Sequence, residues 1–362
     1  MMHSRENFFQ MIEGGAPEWL PFDLPTTEPV ERRILERTGK SSHEAFDLDI
    51  HSSGASFIGD EPERWRAAYE KIGFHLPDNS VVLRMGISFV RPPVSSLGEA
   101  VHLMEMLHPL AGIEEVSQLE SLPWPNTSDP ANFTDCARRC EEIHAAGKVA
   151  SASLECTVFE DTWYLRGMEN VFCDWADENP VTEWLLDYFT ERSFHSAQAF
   201  ARAGFDVIRL GDDVATQNSL LMSADTWRQH LKPRLKRVID GIREVSGSRK
   251  VWVHYHSDGD VTPLIDDLIE VGVDILNPVQ PECMDLEAVA ARYQDRLAFC
   301  GMIGTQTTMP FGSPDDVRAA VERCRRLHEK GARVIVAPTH VLEPDVPWEN
   351  ITAFIDAVRA RL

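Results

Sequence analysis

The stretch KVWVHYHSDGD (Lys250–Asp260) places His254, His256 and Asp258 at alternate positions. Alternate residues of an extended chain point to one face, so two imidazoles and a carboxylate can converge there. Such a set suits two chemistries. Imidazole and carboxylate are ordinary ligands of a divalent metal, and the same groups can exchange a proton as acid and base. A buried strand end is a costly place for ionisable groups, which favours a functional role for His256 with Asp258. His254 reads first as a satisfied, partly buried histidine and second as a substrate contact.

Further polar groups recur in the same place relative to apolar runs. Glu155 ends KVASASLEC (Lys148–Cys156); Asp212, Asp213 and Gln217 lie at and just beyond the end of FDVIRLGDD; Asn277 and Gln280 close VDILNP. Gln306 follows RLAFCGMIG, and His340 with Glu343 follows RVIVAP. Asp213 is a candidate proton donor or cation stabiliser. Glu155, Asp212, Gln217, His254, Asn277, Gln280 and Gln306 are candidate substrate contacts.

The apolar runs must position these groups. Val251, Trp252 and Val253 are β-branched or aromatic and predict a buried strand. Gly259 breaks it, and Asp260 or Thr262 can cap the following helix. After Asn132 strand and helix alternate: helices over Pro180–Ala203, Ala224–Val245, Pro263–Val271, Pro314–Glu329 and Trp348–Leu362 separate the runs above. Upstream, WLPFDL (Trp19–Leu24) and Ser80–Val90 read as strands, Pro29–Arg37 and Leu97–Leu107 as helices, and Ser41–Asn79 as mixed. Counting these, the pattern predicts a (β/α)8 TIM barrel over residues 1–362, one domain with additional N-terminal helices. The polar clusters then share the carboxyl rim of the barrel, where such folds place chemistry. No GxGxxG follows an early strand, which argues against a dinucleotide-binding sheet.

The 362 residues are 43% apolar and carry a formal net charge of −23. So acidic a chain is a poor partner for nucleic acid or an anionic membrane. No uninterrupted apolar window approaches the roughly 18 residues of a membrane span. The N-terminal MMHSRENFFQMIEGG lacks the apolar centre of a signal peptide, so a cytoplasmic location is expected. Seven scattered cysteines without a CxxC pair read as reduced thiols.

From Phe159 onward the rim motifs GFDVIRLGDDVATQNSLLMSADTWRQHLKPRLKRVI, HSDGDVTPLIDDLIEVGVDILNPVQPECMD, FCGMIGTQTTMPFGSPDDV and APTHVLEPDVPWENITAFIDAV resemble the uroporphyrinogen decarboxylase superfamily. That superfamily includes the haem-pathway decarboxylase and cobalamin-dependent methyltransferases. The resemblance implies a (β/α)8 barrel with its site at the carboxyl ends of the strands. The arginine-rich segment with which the decarboxylase holds its tetrapyrrole is replaced here by PFDLPTTEPVERR, where only Arg32 and Arg33 follow. An acidic mouth is electrostatically wrong for a polycarboxylate, so uroporphyrinogen is not expected as substrate. The methyltransferases hold zinc with His-x-Cys and a distant Cys; the resemblance puts these on His256, Asp258 and His340. That set can hold zinc or another divalent metal, with one position open.

The resemblance implies a methyltransferase that moves a methyl group between a small methylated compound and a corrinoid carried on a partner protein. Two other readings are a lyase that decarboxylates a small acid other than uroporphyrinogen, and a barrel that binds a ligand without turnover.

Overall fold

The structure, a computed structural model, describes residues 2–90 and 105–362. Its strands are β1 (Ile50–Gly54), β2 (Ser80–Val82), β3 (Ser88–Val90), β4 (Glu105–Leu107), β5 (Val149–Ser153), β6 (Val207–Gly211), β7 (Trp252–His256), β8 (Ile275–Asn277), β9 (Ala298–Ile303) and β10 (Arg333–Pro338). Seven of them form one parallel sheet in the order β1-β5-β6-β7-β8-β9-β10. Parallel neighbours need long crossovers, and the helices between the strands supply them.

Residues 21–26 take the eighth position. Phe22 bridges Val336 in parallel; the Val336 N–H donates to Pro21 O at 2.8 Å and the Asp23 N–H to Val336 O at 3.1 Å. On the other side Asp49 Oδ2, just ahead of β1, accepts from Phe22 N–H at 3.0 Å and Trp19 Nε1 at 3.1 Å. Pro21 and Pro25 lack an N–H, so this segment cannot form a regular ladder. The result is a (β/α)8 barrel whose first strand is reduced to bridges.

The barrel interior is apolar at its amino end. Ile50, Val149, Val207, Trp252, Ile275, Ala298 and Ile335 pack there on Phe8 and Ile12 of the helix Ser4–Ile12, which acts as a plug. The outer helices carry strong boundary signals. Asn179 accepts from Val181 N–H at the start of Pro180–Ala203, and Gly204 ends it with φ +108°. Ser313 and Asp316 form a reciprocal cap on Pro314–Glu329.

Several expectations are corrected. Ser80–Val90 is not a barrel strand: β2 and β3 are separated by a turn at Arg84–Gly86 and pair antiparallel in a small sheet with β4. Met85, with φ +55°, breaks the run. The missing barrel strand is β1, inside the region read as mixed; its polar sequence IHSSG hides it. The helix expected over Leu97–Leu107 falls outside the described residues up to 104, and its last three form β4. Ala224–Val245 divides into Ala224–His230 and Lys232–Ser246, with Pro233 opening the second piece.

Candidate active site at the barrel mouth

β7 carries His254 and His256 inward, and the chain turns at Gly259. A Cβ at Gly259 would meet Thr216 O at 2.3 Å, and its φ is +87°. Only glycine fits this close approach, which brings the Asp258 turn against the loop after β6. Asp260 Oδ1 accepts from Thr262 N–H, as the sequence suggested for the next helical turn.

Three side chains converge here. His256 Nε2 lies 3.7 Å from Asp213 Oδ1 and 3.8 Å from Asp258 Oδ1. One ligand atom from each of the three falls within 4.8 Å of the others. Asp258 Oδ1 is buried and has no hydrogen-bond partner among the described residues. The separations are too long for hydrogen bonds but suit atoms around a shared ion. Donors about 2.0–2.1 Å from a tetrahedral metal stand about 3.4 Å apart. The imidazole is already oriented: its Nδ1 lies 2.6 Å from Asn277 Oδ1, which fixes Nδ1 as an N–H and turns Nε2, the position a cation would take, to the two carboxylates. The donor set therefore fits a divalent cation. His340, from the end of β10, faces His256 with ring centroids 6.3 Å apart. Of the expected trio His256, Asp258 and His340, the first two stand at ligand spacing with Asp213, while His340 faces His256 but is not in that set.

The electrostatics follow from crowding. Burial pulls the His256 imidazole down, but Asp213, Asp258 and Glu155 outweigh it and raise the imidazole to about 9. Burial lifts Asp258 to about 6, against the attraction of His256. Burial, with Asp213 and Asp212 beside it, drives Glu160 well above the usual carboxylate range. Burial also lifts Asp212 to about 7, against the backbone N–H groups that bind it. His254 is held well below its ordinary value by burial and by Arg209, and His340 is lowered by burial and His256.

Not every expected contact reaches the cluster. Asp212 accepts from the backbone N–H groups of Val158 and Glu160 and so anchors the start of the helix Phe159–Arg166. Gln280 Oε1 accepts from Gly259 N–H at 3.3 Å and supports the turn. Gln217 donates to Gln306 Oε1 at 2.7 Å, and both are exposed on the rim. Asn277 orients His256. Glu155 accepts from Arg209 at 2.9 Å inside the barrel. Three groups were missed by sequence reading. Arg209 interrupts an apolar strand in the inward phase, a signal in plain view. Glu160 accepts from Tyr164 Oη at 2.8 Å and Asp213 N–H at 3.1 Å. Asp23 reaches within 3.5 Å of Arg209.

A parallel barrel with imidazoles and carboxylates at the carboxyl ends of its strands defines the class of this protein. Residues 157–361, more than half of the chain, match the model of the uroporphyrinogen decarboxylase (URO-D) family, and the chain belongs to that family. It is 29% identical over 187 residues to the methylcobamide:CoM methyltransferase MtaA of Methanosarcina barkeri, covering 51% of each chain. It is 26% identical over 143 residues to the uroporphyrinogen decarboxylase of Hydrogenovibrio crunogenus, 37% of this chain and 39% of that one. The chain thus aligns with about half the length of the first of these relatives and less of the second. A solved methyltransferase from Methanosarcina mazei shares the fold, with a TM-score of 0.60, 20% identity, and coverage of 99% of this chain and 98% of that one. Among the described residues no helix is long and apolar enough to cross a membrane.

Proposed function

We propose that this chain is a methyltransferase that moves a methyl group between a small methylated compound and a corrinoid on a partner protein, with a divalent cation held at the mouth. The observation that carries this reading is the buried, unpartnered Asp258 Oδ1, set with Asp213 and His256 at ligand spacing. The likeness to methylcobamide:CoM methyltransferases supports methyl transfer of this kind.

His256, Asp258 and Asp213 would hold the cation, with His340 facing the same space. A divalent cation there would keep a thiol or similar acceptor deprotonated, and hence nucleophilic, at neutral pH. The chain's own groups do the positioning. Asn277 fixes the His256 tautomer. The Asp258 N–H donates to Asp213 Oδ1 at 2.8 Å, locking the two acids in register. Glu160 holds the Asp213 backbone in turn.

Turnover of uroporphyrinogen is not part of this reading. Arg33 donates to Pro344 O and Val346 O, and Arg32 pairs with Glu28. Arg33 lies away from the axial cavity, and Arg32 lines only the wider pocket beside it, together with Glu28 and Glu31.

The test is elemental analysis of the purified protein, then visible spectra of methylcobalamin incubated with small thiols and of cob(I)alamin incubated with methylated amines, ethers and thioethers. Metal near one equivalent and conversion of one corrinoid spectrum into the other are expected, both lost in His256→Ala. A metal-free protein that changes neither corrinoid would overturn the reading.

A further inference from the structure

Below the mouth cluster a cavity of about 100 Å³ follows the barrel axis. Phe8, Ile50, Val207 and Ile335 make its wall apolar on one part. Elsewhere the wall is polar, and two of its atoms are unsatisfied. Ser151 Oγ and His254 Nδ1 are buried with no hydrogen-bond partner among the described residues. Ser151 is 0% and His254 4% exposed. Leaving such buried atoms unpaired is costly, so their persistence points to something that pairs them. A hydroxyl and an imidazole nitrogen together ask for a group that both donates and accepts.

Charge narrows the class. Arg209 lines the same cavity, but Glu155 at 2.9 Å and Asp23 at 3.5 Å already match it. His256 at the upper end is likewise faced by Asp213 and Asp258, so an anionic group entering here would meet no charge to spare. An anion buried without a counter-ion is strongly disfavoured.

We infer that this axial cavity is the binding site for the non-reacting part of the substrate, and that it selects a small neutral group with a hydroxyl or amide end over a carboxylate or sulfonate. The inference rests on the proposed methyl transfer only for the direction in which the reacting atom points, up toward His256.

The experiment is calorimetric titration of the purified protein with 2-mercaptoethanol and with thioglycolate, thiols of equal length with neutral and anionic ends. The neutral probe should bind about tenfold or more tightly, because the anionic one must shed its hydration. Ser151→Ala should weaken the neutral probe about three- to tenfold, the worth of one hydrogen bond. Ser151→Val, checked for an unchanged circular dichroism spectrum, should fill the space and abolish binding. Equal or tighter binding of thioglycolate, indifference of both probes to the Ser151 variants, or a cavity that takes ordered water and neither probe would each overturn the inference. The two readings fail separately. If His256→Ala and wild type both lack metal yet keep the preference for the neutral probe, the cavity stands and the metal reading falls. If metal binds but the anionic probe is preferred, the reverse holds.

Discussion

At the amino end of the barrel, His144 Nε2 lies 2.9 Å from Asp206 Oδ2, and the Cys140 thiol lies 3.8 Å from His144 Nδ1. At the carboxyl end, His256 stands between Asp213 and Asp258. By residue type the first set resembles a nucleophile, base and acid, and is the more suggestive of the two. Its neighbours say otherwise. Asp206 also accepts two side-chain N–H groups of Arg5 at 2.8–3.2 Å and the Ala150 N–H at 3.0 Å, so its lone pairs are spent. Cys140 is 1% exposed, and burial with Asp206 nearby pushes its thiol up to about 11. This set ties the plug helix to the barrel. The mouth set keeps a buried oxygen without a hydrogen bond, and an imidazole Nε2 facing two carboxylates beyond hydrogen-bond reach. Unsatisfied valence, more than residue identity, separates a site from a brace.

Removing one histidine from each end should separate site from brace by the widest margin. His256→Ala should lower zinc affinity more than about a hundredfold, beyond the loss typical of an outer-shell partner. His144→Ala should leave it unchanged. Competition with a chromogenic chelator measures both, and equal losses would dissolve the distinction.

Next in size is an exchange of acids, read by urea denaturation of the metal-free protein. Asp206→Ala should cost about 2 kcal/mol, below the roughly 3–5 kcal/mol of a fully buried broken pair because Arg5 stays partly in water. Asp258→Ala should stay within about 1 kcal/mol of wild type, since it removes an unpaired atom. A larger loss at Asp258 than at Asp206 would reverse the assignment of brace and site.

A smaller effect concerns pH. Asp49 closes the barrel next to residues 21–26, and burial raises its carboxyl from 3.8 to about 6, against its donors Trp19 and Phe22 and the charge of Lys148. The folded state holds this proton more tightly than the unfolded chain. The corresponding stability is present in full below pH 3.8 and is lost as pH rises through about 6. Asp49→Asn, which keeps an acceptor without the charge, should lack that slope in urea midpoints across the same window. Identical slopes would remove Asp49 from the account.

The smallest effect is an expected silence. In folded protein at neutral pH, a thiol-reactive dye should label exposed Cys173 and spare buried Cys140. Mass mapping that finds Cys140 labelled first would make the amino-end set reactive after all.

Legibility in sequence followed local signals. Pro180–Ala203 could be read to the residue because Asn179, Pro180 and Gly204 mark both ends. β7 was visible because its residues are β-branched and aromatic. β1 was not, because IHSSG has a single apolar residue and no apolar alternation; its pairing with β5 holds it extended. Ser80–Val90 was apolar enough to be a barrel strand and instead packs in a small sheet beside Trp65 and Tyr69. Periodicity cannot say which sheet a strand will join.

The alternation of strand and helix, the acidic balance and the recurrence of ionisable groups at strand ends are legible in the chain alone. These rest on properties each residue carries along it. Folding in three dimensions is what brings Asp213 to His256 and Asp258 while Asp212, one residue earlier, anchors a helix. Folding also matches Arg209 with Glu155 and Asp23, and leaves Ser151 Oγ and His254 Nδ1 without a hydrogen-bond partner among the described residues. Neighbouring residues on a strand point opposite ways, and hydrogen bonds and charge are matched across space, between strands far apart in the chain.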